Sequence, residues 1–330
     1  MEKFVKILID TKGGDKGPAA MIKGAALALE KYPQLQVALS GDTAVITAEC
    51  AALGVPMDRV EILEASGEIT NYDNPAEALF RKTDSSMLRG FAALEQREEL
   101  FGMITTGNTG VVITAAIRYL SGKDRVRPAL AAVLPAQKGG FTCLVDTGAT
   151  VDCTAPILQH FAHLGAALMR DMYGIESPRV GLLSNGSEAG KGNKLVKETY
   201  PLLEADEALN FVGNIEGTNA LSGDCDVLVC DGFAGNQVLK VTEGTATRII
   251  TDVMKYAHRT GSKEVMQLGA HLMSLYDIGS LGGGILLGTA KPVIKARGSA
   301  GESAVVNTVG MMLNLAANKA VFDTKDNKVN

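Results

Sequence analysis

Tryptophan is absent from this 330-residue chain, and aromatic residues make up only 5% of it. That is too few for platforms that stack nucleic-acid bases. Charge of one sign is equally lacking: 32 basic residues face 37 acidic ones, for a net charge of −5, and no run of five or more like charges occurs. A dedicated nucleic-acid binder is thereby excluded. Five cysteines (Cys50, Cys143, Cys153, Cys225, Cys230) form no C-x-x-C pair and are joined by only four histidines. No structural zinc site is expected, and free thiols in a reducing cytoplasm are. No apolar run approaches the roughly 20 residues of a membrane span. The opening Met1-Glu2-Lys3-Phe4-Val5 runs straight into a strand-like stretch, so we expect no signal peptide and a cytoplasmic location.

What is present is apolar material and glycine: 46% of residues are hydrophobic and 37 are Gly. Such a length carries one large domain or two lobes, and residues 1–330 are expected to act as one catalytic unit. Short apolar runs alternate with longer amphipathic stretches. Strands are expected at 5–10, 36–40, 60–63, 103–106, 144–146, 179–183, 209–212 and 227–230. Helices are expected at 19–31, 43–53, 108–120, 156–172 and 195–203. This alternation predicts an α/β fold with a mostly parallel sheet covered on both faces, all strand carboxyl ends pointing to one rim. The rhythm changes at Phe233–Asp277, a helical stretch broken at Gly261-Ser262. Val238, Val241, Ile249, Val253 and Ala257 are predicted to share its apolar face. Packing on the core or on a second subunit explains such a face; contact with a membrane surface or a carrier protein stays open.

In a doubly wound sheet, ligands sit beyond the strand carboxyl ends, which directs attention to four loops. After the first strand comes Asp10-Thr11-Lys12-Gly13-Gly14-Asp15, with Pro18 suited to the next helix start. Thr105-Thr106-Gly107-Asn108-Thr109-Gly110 joins a strand to a helix, and Asn108 or Thr109 suits either a helix cap or a phosphate oxygen. Gly186 to Asn193, containing Lys191, superficially resembles a nucleoside-triphosphate loop. Its spacing is one residue short and Gly192 stands where a metal-binding hydroxyl is needed, so that activity is rejected while a small anion still fits. Asp231-Gly232-Phe233-Ala234-Gly235-Asn236 is the fourth, with Lys240 one turn beyond. A plain glycine-rich turn explains any one of these loops equally well. The run Gly279 to Gly284 lacks dinucleotide spacing. No G-x-S-x-G elbow or H-E-x-x-H pair occurs, so chemistry in which the substrate brings its own nucleophile fits best.

Taken together, these segments resemble the PlsX family, the acyl-carrier-protein:phosphate acyltransferases of bacterial phospholipid synthesis. The resemblance is carried by Gly13-Gly14-Asp15 with Pro18, Lys82-Thr83-Asp84-Ser85-Ser86, Gly107-Asn108-Thr109-Gly110 and Arg127-Pro128-Ala129. It continues through Asp146 with Gly148-Ala149 and Asp152, Lys191-Gly192-Asn193, Asn214-Ile215-Glu216-Gly217, Ser222-Gly223-Asp224, and Asp231-Gly232-Phe233 with Gly235-Asn236 and Lys240. It implies a three-layer α/β/α fold like that of isopropylmalate dehydrogenases and phosphotransacetylases, with a projecting helical pair at 233–277. It further implies a homodimer, often loosely membrane-associated at the inner face, that uses acyl-ACP and inorganic phosphate, with no cofactor and no metal.

On this reading Lys191, Asn193, Asn108, Asp231 and Arg297 are the candidate catalytic residues. Asp10, Gly13, Gly14, Asp15, Ser85, Ser86, Gly107, Thr109, Asn236, Lys240, Gly298 and Ser299 are candidates for binding substrate or phosphate. Departures fall near these positions: Thr11 and Lys12 replace the family's Ala and Met, Thr150 its Asn, and Arg297 its His. Gly282-Gly283-Gly284-Ile285 replaces its Gly-Gly-Ala-Pro. Arg can hold phosphate bidentately where His could have supplied a proton. The expected mechanism is thioester phosphorolysis, with loop amides around Gly13–Gly14 or Gly107–Thr109 stabilising the oxyanion and Asp10, Asp15 and Asp231 orienting loops and cations. A short-chain phosphotransacetylase, an acetyl-phosphate-forming reductase component that uses a reactive cysteine, and a silent binding protein are the alternatives.

Overall fold

β1 (Val5–Asp10) is a continuous apolar run ending in an acid, and Ile7, Leu8 and Ile9 are fully buried on both of its faces, as a central parallel strand requires. The computed structural model describes residues 4–121, 127–276 and 283–318. These divide into two units, Met1–Pro128 with Gly279–Asn330, and Ala129–Ile278. In the first, β1 is followed by α1 (Gly17–Lys31), β2 (Leu35–Gly41), α2 (Thr43–Ala52), β3 (Val60–Glu64), α3 (Pro75–Arg81), α4 (Ser86–Gln96), β4 (Leu100–Thr105) and α5 (Thr109–Tyr119).

The second unit contains β5 (Ala129–Pro135), β6 (Phe141–Val145), α6 (Ala155–Tyr173), β7 (Arg179–Ser184), α7 (Lys194–Glu204), β8 (Asn210–Glu216), β9 (Val227–Val229), α8 (Gly232–Thr260) and α9 (Lys263–Tyr276). The chain then completes the first unit with β10 (Gly284–Leu287), β11 (Val293–Lys295) and α10 (Glu302–Ala317).

Strands of the first unit run in the order β3-β2-β1-β4-β11-β10. All pairs are parallel except β10 with β11. Right-handed crossovers put α1 and α2 on one face and α4 on the other; α1 packs on α2 and α10, and α4 on α5. In the second unit the order is β5-β6-β9-β7-β8, parallel apart from β5 with β6. Side chains alternate across this sheet. Val145 and Val227 meet the bare flank of Gly165 on α6. Leu144 and Leu228 point the other way, into a cluster on which Ala234, Val238 and Leu239 of α8 pack. The α/β fold with helices on both faces is therefore as expected.

Several elements escaped the sequence pattern. β10 and β11 are four and three residues long, too short to show a period. β8 runs past its expected end because Gly213, at φ 91°, carries the strand through an irregularity in its register with β7. The helical pair breaks where expected, at a left-handed Gly261, and of the expected apolar face Ala257 is buried and Val238 and Val253 are half-buried, but two members are not covered. Val241 and Ile249 are 64% and 54% exposed, whereas Glu243 and Ile250, not expected on that face, are buried. The covered side is set by α9, whose Gly269 lets Met254 and Val253 approach closely. Among the described residues no helix is long and apolar enough to cross a membrane. The glycines at 279–282 and Asp277 lie outside the described residues.

Candidate functional site

In the first unit the loops after β1, β4 and β11 meet at one rim. Asp10, fully buried at the end of β1, accepts hydrogen bonds from Ser86 Oγ at 2.6 Å, Thr105 Oγ1 at 2.7 Å and the Lys12 amide at 3.2 Å. Burial pushes its pKa up, against the pull of those donors. It thus ties together the ends of β1 and β4 and the start of α4. A Cβ on Gly13 would stand 2.6 Å from the Gly107 nitrogen, so these two loops touch backbone to backbone. Gly14 lies beside the Thr106 hydroxyl, which is buried without a hydrogen-bond partner. The Asp15 amide donates to Gly298 O at 2.9 Å, and the bare flank of Gly298 accommodates the Asp15 carboxylate. Arg297 and Ser299 are exposed on the same turn, which the Ala300 amide closes onto Arg297 O at 3.0 Å.

Other candidates in this unit hold structure. The Gly107 amide, expected to face an oxyanion, donates to Thr105 Oγ1 at 3.1 Å. Asn108 caps α5 through Val111, and its amide nitrogen donates to the carbonyls of Thr70, Asn71 and Asp73. Ser85 caps α4, and Thr109 opens α5. Lys12, a departure from the family pattern, staples its ammonium to Ser66 O at 2.9 Å.

The second unit gathers the loops after β6, β7 and β9. Beyond β7, the Lys191 amide donates to Glu188 O at 3.0 Å, and Asn214 Nδ2 donates to the same carbonyl at 2.9 Å. The bare flank of Gly186 receives the aliphatic stem of Lys191, while the residue stays exposed. Asn193 caps α7 through the Val196 amide at 3.0 Å, and Asp231 caps α8 through Ala234 at 2.7 Å. Two helix N-termini and an exposed cation are the ingredients of an anion site.

α8 starts close to the loop after β6 because Gly235 leaves room for it: a Cβ there would sit 1.9 Å from Asp146 O. Asn236 Nδ2 donates to Thr147 O at 3.2 Å. Lys240 is engaged by the buried Glu243 at 3.1 Å, so its ammonium lies along α8 rather than at its start. Asp146, fully buried, was not singled out as a site residue. It accepts the amides of Leu130, Gly148 and Ala149 on Oδ1 and that of Thr150 on Oδ2, and burial pushes its pKa up. An acid at a strand end followed by Gly148-Ala149-Thr150 was the available signal.

A cavity of about 340 Å³ opens in this unit at the carboxyl ends of β7 and β9. Hydrophobic side chains dominate its wall. Burial pushes the thiols of Cys143 and Cys225 up to about 12 and raises that of Cys230 well above the usual thiol range. This disfavours thiolate chemistry at these three residues. Among the described residues no group of three or more His, Cys, Asp or Glu could hold a metal ion.

Comparison with known proteins gives the following. Residues 5–321 match a family described as "Fatty acid synthesis protein". A phosphate acyltransferase of Halothermothrix orenii is 38% identical over 316 residues, covering 92% of this chain and 93% of that one. One from Streptococcus pneumoniae is 37% identical over 329 residues, covering 97% of each. Among solved structures, a phosphotransacetylase from Streptococcus pyogenes superposes with a TM-score of 0.62 at 17% identity, over 96% of this chain and 95% of that one. A 4-hydroxythreonine-4-phosphate dehydrogenase from Klebsiella pneumoniae does so with 0.56 at 15%, over 94% and 99%. These two likenesses concern the fold.

Proposed function

The chain belongs to the fatty acid synthesis protein family of phosphate acyltransferases, and from that premise we propose that it moves the acyl group of acyl-ACP to inorganic phosphate. Acyl phosphate for phospholipid synthesis and free carrier thiol are the products. A phosphate oxygen attacks the thioester carbonyl carbon, the C–O bond forms, the C–S bond breaks, and the departing sulfur takes a proton. Phosphate is itself an adequate nucleophile, so placement and charge neutralisation are what the protein has to add. The observation that carries this reading is the exposed Lys191, stem laid on Gly186, one residue from the Gly192-Asn193 start of α7. Asn193, Asp231 and Asn236 keep the helix starts around that loop in place. In the first unit Asp10, Asp15 and the Gly13-Gly14 and Gly298 turns are proposed to shape a loop rim for substrate, with Arg297 as a surface cation.

Release of free thiol from acyl-ACP and acyl-CoA, with and without inorganic phosphate, tests the reading. Phosphate-dependent release from long-chain acyl-ACP is expected. Release from acetyl thioesters alone would replace the proposal with a short-chain phosphotransacetylase, and no release from either carrier would remove the enzymatic reading. The proposal covers the whole length, 1–330, as serving this one activity in the cytoplasm. It includes a homodimer, with the pair α8 and α9 serving either as the dimer contact or as a peripheral membrane contact; the exposed Val241 and Ile249 support one such contact. A light-scattering mass of one chain would exclude the dimer, and absence from sedimented anionic vesicles at low salt would exclude the contact.

A further inference from the structure

The cavity at the ends of β7 and β9 is a half-open cleft with an uneven wall. Leu158 of α6, Leu182 of β7, Val196 of α7 and Ala234 and Val238 of α8 give it an apolar body. Ser184, Asn185, Asn193 and Asp231 supply its polar side chains, all from strand ends or helix starts. The cleft opens to solvent along part of its length, so about 340 Å³ bounded largely by Leu and Val leaves apolar surface in contact with water. Water filling it would find few partners along the body. The wall has no aromatic ring to stack a base. Ser184 Oγ, in the polar part, is buried without a hydrogen-bond partner and lies beside Gly192, next to Lys191 in sequence.

We propose that this cavity seats the hydrocarbon chain of the acyl donor, with the reacting carboxyl end at the Ser184–Asn193 rim. The occupant's identity rests on the acyl-transfer reading above. At about 30 Å³ per methylene, close to the volume a liquid water molecule occupies, the cavity holds about ten carbons. Longer chains extend beyond it, so the gain from lengthening the chain stops there. The chemistry recognised is a saturated alkyl chain carrying an anionic or carbonyl head.

The test uses n-alkylphosphonates of four to fourteen carbons, which need no turnover, titrated into the full-length protein by calorimetry. The dissociation constant is expected to fall about fourfold per added methylene and to level off near ten carbons. Val238→Phe fills part of the body and moves the plateau about two carbons shorter, as judged from the volume of the added ring. Ala234→Leu, one turn away, does the same if Val238→Phe does not fold. Lys197→Ala, exposed on α7, leaves the profile where it was. Affinity independent of chain length, or an unmoved plateau in a folded Val238→Phe or Ala234→Leu protein, overturns the proposal. Phosphate-dependent thiol release with a flat binding profile would retain the enzymatic reading and reject the cavity. A stepped profile without thiol release would do the reverse.

Discussion

Lys191→Ala is expected to lower phosphate-dependent thiol release by about a hundredfold to a thousandfold, the usual consequence of deleting one group that stabilises developing charge. The thermal midpoint should stay within a few degrees, because Lys191 is exposed and its backbone, not its side chain, makes the turn-closing bond to Glu188. Two negative centres approach one another in the proposed step, the phosphate dianion and the carbonyl oxygen as it becomes an oxyanion. A cation that relieves this repulsion is felt most in the transition state, so kcat should fall along with a rise in KM for phosphate. Lys191→Arg should recover only part of the activity, since the charge is kept while the planar fork replaces a compact ammonium. Steady-state kinetics at saturating phosphate decide the matter. Turnover within about threefold of the parent would remove Lys191 from the mechanism.

Asp146→Ala should destabilise the protein by about 3–5 kcal/mol, because four backbone amides lose their acceptor together. Leu130 and Thr150 are buried, so water cannot replace the carboxylate there. The half-buried amides of Gly148 and Ala149 can be partly rehydrated, which keeps the sum well below four full penalties. Asp146→Asn is expected to fall between: Oδ1 keeps its three donors, while an NH2 group now faces the Thr150 amide across what was a 2.6 Å bond. Urea unfolding midpoints at constant m-value give the ranking. A loss under about 1 kcal/mol for Asp146→Ala would mean that the loop after β6 is held by something else, such as the contact of Gly235 with Asp146 O.

The pattern of residues was informative where a local rule applies. β1, β2, β4 and β7 announce themselves as buried runs that end in polar loops, and the break between α8 and α9 is written in Gly261. Asp10 was legible as a strand-end acid for the same reason, standing last in an otherwise apolar strand. Asn108 was legible as a helix cap or a phosphate ligand, and the cap is what the structure shows. Its second task, holding the carbonyls of residues 70, 71 and 73, joins positions more than thirty apart and leaves no mark in either segment. Lys240 stands near Asn236 in sequence, but its pairing with Glu243, three residues further along α8, is visible only in the folded helix.

Fold class, the order of the loops and the membership of the family follow from the order of residues. Hydrophobic period, glycine and capping chemistry act over a few positions, and many such signals agree along the chain. Which polar groups are already engaged, which face of α8 is covered, and that α6, α7 and α8 leave a hollow of about 340 Å³ beside β7 emerge only on folding. Each depends on side chains from distant segments competing for the same space and the same hydrogen-bond donors, and a one-dimensional pattern does not record that competition.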